Sequence, residues 1–205
     1  MRLQRLSWLL AVLLLAPASQ AVTIFDNFGP GNAYDLNDSD ITGPADLAYS
    51  FTVPSGGGDF SLDLLVLPLD SETAPTTANL SIAESAGSVP GATLATFPTV
   101  NVLNPAPGDV FSLAPLAPAT LLAGATYWVV LDPPFGTEIG WGVNDTSGAV
   151  LPGAFRASAG GAWSPFSAAV AFRVEGTESV VPEPSTGALL TAGLLALARR
   201  RPRRG

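Results

Sequence analysis

The chain has 205 residues, room for one domain of ordinary size with terminal appendages. With 47% hydrophobic and only 13% charged residues it is too apolar to stay disordered, and 21 Gly with 19 Pro argue against a helical bundle. There is no Cys and no His, and all nine basic residues are Arg. This excludes disulfides, thiolate and imidazole metal sites, His-activated serine catalysis, Schiff-base chemistry and a P-loop lysine.

The charge is segregated. Arg2 and Arg5 stand at one end and Arg199, Arg200, Arg201, Arg203 and Arg204 at the other. Sixteen of the 17 acidic residues fall between Asp26 and Glu178, where only Arg156 and Arg173 oppose them. An interior this acidic repels phosphate backbones and anionic headgroups, so no nucleic-acid partner is expected.

Residues 1–21 have the layout of a secretory signal peptide, forming a helix on export. Arg2 and Arg5 supply the basic region and Leu6 to Ala16 the apolar run; small residues follow. Ser19 and Ala21 suit the −3 and −1 positions, placing cleavage between Ala21 and Val22, with Ala16 and Ala18 as a second register. The competing reading, an uncleaved membrane helix, has to span the bilayer with a run that is short and ended by Pro17. Export through Sec-type machinery is the expectation.

From Val22 to Gly176 short β-rich runs recur between clusters of Gly, Pro, Asn and Asp, without sustained helical periodicity. Strands are predicted at Val22–Phe28, Leu47–Val53, Phe60–Leu67, Ala78–Ala83, Thr93–Phe97, Val110–Leu113, Thr126–Leu131, Ile139–Val143, Ala154–Arg156 and Val170–Val174. In the third, Phe60, Leu62, Leu64 and Val66 share one face, opposite Ser61 and Asp63. In the last, Val170, Phe172 and Val174 oppose Ala171, Arg173 and Glu175. This pattern predicts an all-β, jelly-roll-like two-sheet sandwich over residues 22–176.

Candidate ligand residues are few. Asp35, Asn37, Asp40 and Asp46 lie in a segment with oxygen ligands at alternating positions, as calcium loops have. However, Asp40 stands where such a loop needs Gly, and Asp46 where it needs Glu. A solvated turn is the competing reading, and no cofactor is expected beyond that calcium candidate. Trp141 and Trp163 sit among glycines, where an aromatic face can be exposed to stack on a sugar; packing in the core is the alternative. Trp128, in Thr126-Tyr127-Trp128-Val129-Val130-Leu131, is expected in the core with Tyr127. Arg173 is expected to pair with a neighbouring carboxylate.

After a linker at residues 177–186, Gly187 to Ala198 is apolar except for Thr191, and residues 199–205 form an Arg-rich tail. Twelve helical residues cover about 18 Å against a hydrocarbon core of about 30 Å, too little for a comfortable span. The arginines stay cytoplasmic, leaving everything before the helix outside. Pro182-Glu183-Pro184, this short membrane helix and the Arg tail together resemble the PEP-CTERM sorting signal of Gram-negative bacteria. The resemblance implies an exosortase that cuts near the tripeptide, a transient stay in the inner membrane, and a cell-surface or extracellular destination. An ordinary tail anchor behind a Pro-rich spacer is the alternative.

The body carries Phe25-Asp26-Asn27-Phe28-Gly29-Pro30-Gly31, Ser88-Val89-Pro90-Gly91, Ala125-Thr126-Tyr127-Trp128-Val129-Val130, Gly140-Trp141-Gly142, Gly161-Ala162-Trp163 and Ala171-Phe172-Arg173-Val174. In that order these motifs resemble the choice-of-anchor domains, type R. The resemblance implies a displayed body and carries no catalytic residues. The chain therefore reads as a non-enzymatic surface or extracellular-matrix protein, with exopolysaccharide a candidate partner. The alternatives are a secreted carbohydrate-binding module and a glycan-active enzyme.

Overall fold

The structure, a computed structural model, describes residues 20–35, 46–71, 75–103, 109–134, 137, 139–144, 149–157 and 160–179, together with Gly193. The expected leader and membrane helices, Asn37, Asp40 and Pro182-Glu183-Pro184 lie outside the described residues, apart from Gln20, Ala21 and Gly193.

Because side chains alternate across a strand, a run with one apolar set needs another sheet to cover it. Among the described residues, thirteen strands meet that need in two antiparallel sheets. The smaller sheet is ordered β1 (Ala21–Asp26), β13 (Arg173–Glu178), β3 (Phe60–Ser71), β10 (Ile139–Trp141). The 12-residue β3 also pairs along its other edge with β7 (Asp109–Leu113) and β8 (Thr120–Leu121). The larger sheet is ordered β12 (Ser164–Ala168), β11 (Leu151–Arg156), β2 (Asp46–Thr52), β9 (Thr126–Asp132), β4 (Thr76–Ser85), β5 (Pro90–Thr96), and β6 (Val100–Val102) joins the start of β4.

The core lies between the sheets. Leu47, Tyr49 and Phe51 from β2 and Tyr127, Val129 and Leu131 from β9 meet Leu65, Leu67 and Leu69 of β3, with Trp141 and Phe172 among them. Buried aromatic rings contact edge-on there, as between Tyr49 and Trp141 with centroids 5.0 Å apart.

All ten predicted strands have a counterpart, with two corrections of register. The last begins at Arg173, not Val170. Val170 to Phe172 are instead a buried strap: Ala171 N–H bonds to Gly142 O at 2.8 Å, and Asn27 N–H bonds to Phe172 O at 3.0 Å. β13 then runs to Glu178, into the stretch read as linker.

The predicted face of β3 also fails halfway. Phe60 and Leu62 join the inter-sheet core, but Leu65, Leu67 and Leu69 follow them, in place of Leu64 and Val66. A bulge causes the switch. Glu175 pairs with Leu64 and Gly176 with Leu62, so Asp63 is an extra residue that moves the following side chains to the opposite face. The other side of β13 has a matching irregularity, with Thr23 on Glu175 and Phe25 on Val174, leaving Ile24 extra.

Candidate functional site

The larger sheet has a second apolar cluster on its outer face, formed by Ala48, Ala83, Trp128, Val130 and Ala154. These alternate with the inward residues of β2 and β9, and their rows are set by pairing. Ala154 is opposite Ala48, Ala48 opposite Val130, and Val130 opposite Ser81. Such short side chains leave a shallow floor. Trp163 packs against it from the segment entering β12.

One row further along the strands the face becomes polar. Arg156 is opposite Asp46, and Asp132 is opposite Asn79, whose Oδ1 accepts a hydrogen bond from Thr99 Oγ1 at 2.8 Å. Arg156 donates from Nε to Asp46 Oδ2, and its guanidinium carbon lies 4.7 Å from the Trp163 ring centroid. Among the described residues its terminal nitrogens have no hydrogen-bond partner.

The Asp46 side chain lies close enough to Asp132 to act on its carboxyl. Burial raises the Asp132 carboxyl above the ordinary range, the Asp46 carboxylate raises it further, and Arg156 opposes both.

These groups border two adjoining recesses. The first, of about 150 Å³, is lined by Ser81, Thr93, Asp132, Arg156 and Trp163. The second, of about 400 Å³, shares Ser81, Thr93 and Asp132 and continues past Thr96 and Thr99 to Leu116.

The sequence candidates fare unevenly. Trp163 lines the first recess, half-buried, with Arg156 over its ring. Trp141 is a correction: it is 0% exposed, and its Nε1 donates to Ala171 O at 3.0 Å, so no face is left for a sugar. Its neighbour Gly140 lies in the same strand and does not mark a turn. Trp128 and Tyr127 are both buried, as expected, but Trp128 lies under the outer face and not between the sheets.

Of the calcium candidates, Asp35 and Asp46 are among the described residues. Asp46 is committed to Arg156, while Asp35 pairs through its backbone with Val143. No group of three or more carboxylates there could hold a metal ion. Arg173 pairs with Glu175 at 2.7 Å. Ala21 opens β1 opposite Thr177, and Val22 beside it is 45% exposed. Asp132 and its cluster with Asp46 and Arg156 have no local signature in the sequence. Residues 46, 132 and 156 meet only through strand register.

Comparison with known families finds the PEP-CTERM protein-sorting motif over residues 180–204. That motif marks an exported chain processed by an exosortase, with a cell-surface or extracellular destination. No curated protein and no solved structure matches the chain. No helix among the described residues is long and apolar enough to cross a membrane.

Proposed function

We propose that this chain is a non-enzymatic surface or extracellular-matrix protein of a Gram-negative bacterium. Sec-type machinery exports its β-sandwich, and an exosortase separates it from the inner membrane at Pro182-Glu183-Pro184. The observation that carries this reading is the sorting motif at 180–204, with the signal-like leader at the other end of the chain. The finer reading places a jelly-roll body of the choice-of-anchor kind, type R, ahead of a short membrane helix at 187–198. It draws on the motif order from Phe25 to Val174 and on the apolar run before the Arg tail.

The geometry of the body suits this role. Ala21 pairs with Thr177, so the leader and the sorting tail join neighbouring strands at one edge of the smaller sheet. That junction is clasped. Gly58 N–H donates to Glu178 Oε1 at 2.7 Å, and Ser179 N–H donates to Asp59 O at 2.7 Å. The proline motif begins three residues beyond Ser179, so the processing enzyme works within about 10 Å of the folded body.

Mass spectrometry of the exported chain from a host with an exosortase tests the reading. The mature protein should end near Pro182–Thr186, and replacing Pro182-Glu183-Pro184 by three alanines should leave a larger, membrane-retained form. Recovery of the wild-type chain with Arg199–Arg204 intact would overturn it.

A further inference from the structure

We propose that the outer face of the larger sheet binds a neutral saccharide chain in the two adjoining recesses, with Asp132, Arg156 and Trp163 as the principal contacts. This goes beyond the sorting reading, which places no ligand at any site of the body, and stands independently of it.

The charge balance selects the ligand class. Arg156 is the cation of the site, and Asp46 already neutralises it with Asp132 alongside. A phosphate, sulfate or uronate entering here meets an occupied guanidinium and a second carboxyl. A simple cation meets the guanidinium. What remains on offer is uncharged hydrogen bonding of both polarities. The terminal nitrogens of Arg156 donate, Asp132 accepts, and the hydroxyls of Ser81 and Thr93 do either. Vicinal hydroxyls on a ring need such a mixture of donors and acceptors, closely spaced.

The apolar part of the site matches the other half of a sugar. Val130, Ala83 and the Trp163 indole line the same recess as the polar groups, so a ring can lay its C–H face on them while its hydroxyls reach the charged row. Arg156 covers one face of Trp163, so the indole is a wall that also holds the guanidinium in place. Held by Asp46 on one side and Trp163 on the other, Arg156 has little freedom left to lose on binding. The second recess continues the first across β4 toward Thr96 and Leu116, which favours a chain of sugar units over a single one.

The test presents the full-length chain in detergent with neutral hexasaccharides of glucose, mannose and galactose and with their uronate counterparts, on an array and then by titration. At least one neutral hexasaccharide should bind. Thr93→Trp, a substitution on an exposed strand position that fills the first recess, should weaken that binding at least about tenfold. Asp132→Ala should do the same and serves as the deciding variant should Thr93→Trp lose its wild-type near-ultraviolet circular dichroism. Absence of binding to every hexasaccharide, preference for the uronates, or neutral binding unchanged by both variants would each overturn the proposal. The readout is independent of sorting, which is followed by chain mass.

Discussion

Gly176 lies so close to Ser61 that a β-carbon on it would stand 2.4 Å from the Ser61 carbonyl oxygen, and 2.7 Å from Ile24 Cδ1. It occupies the point where β13 meets a bulge on each neighbour, opposite Val22 and Leu62. The obstacle at Ser61 is backbone and cannot swing aside. Gly176→Ala must therefore part β13 from β3, and overpacking of this kind costs about 1–3 kcal/mol. For a chain this long, melting should fall by about 2–4 °C per kcal/mol. A thermal scan that shows Gly176→Ala unchanged would mean that the bulge yields freely.

Asn27 and Asn144 form a second fixed point. Asn144 Nδ2 donates to Asn27 O, and Asn27 Nδ2 donates to Val170 O, both at 2.5 Å and both buried. They hold the strap from Val170 to Phe172 against the residue that follows β1. Asn144→Ala leaves the Asn27 carbonyl without that donor, a loss of about 1–3 kcal/mol in urea unfolding. Asn27→Asp should destabilise more at neutral than at acid pH, because only a protonated carboxyl can donate to Val170. Equal loss at both would show that the Val170 bond contributes little.

How much of this was legible depends on whether the signal was local. Leu47–Val53 alternates and Thr126–Leu131 is an unbroken β-branched and aromatic run, and each contains a strand. Val100–Val102 and Thr120–Leu121 are too short to show a period, and Ser164–Ala168 has Ser, Pro and Ala where branched residues would signal a strand. The switch of face in β3 could not be read, because the bulge is a property of pairing with Gly176, more than a hundred residues away. The same holds for the site. Arg156 was visible as one of two interior arginines, but its partners Asp46 and Asp132 are set by register across β11, β2 and β9. The sorting motif is contiguous and was legible for that reason.

Trp128 connects the floor of the outer face to the end of β4. It is 1% exposed, and its Nε1 donates to Ser85 Oγ at 3.2 Å. Trp128→Ala should cost about 3–5 kcal/mol by opening a cavity under Ala48, Ala83 and Ala154, which are too short to collapse into it. Trp128→Phe keeps most of the volume and loses the hydrogen bond, so it should cost much less. Chemical denaturation of the two variants separates packing from polar contributions. Equal losses would mean that the Ser85 bond, and not the packing of the indole, holds Trp128 in place.

Asp132 gives the fold a pH dependence whose sign can be worked out. Its folded-state carboxyl titrates above the ordinary value of 3.8, through burial first and the Asp46 carboxylate second. A raised acid favours the folded state when protonated. Its contribution is therefore complete below the unfolded value and is lost as pH rises through the folded one. Asp132→Asn removes the charge while its amide can still donate to Asp46. The variant should match wild type in acid and gain on it as pH rises through that window. Asp132 is only half-buried and Arg156 offsets part of the repulsion, so the advantage at neutral pH should stay below about 1 kcal/mol. Melting curves of both proteins from about pH 3 to about pH 7 measure it. A variant less stable than wild type at neutral pH would show that ionised Asp132 gains more from Arg156 than it loses to Asp46.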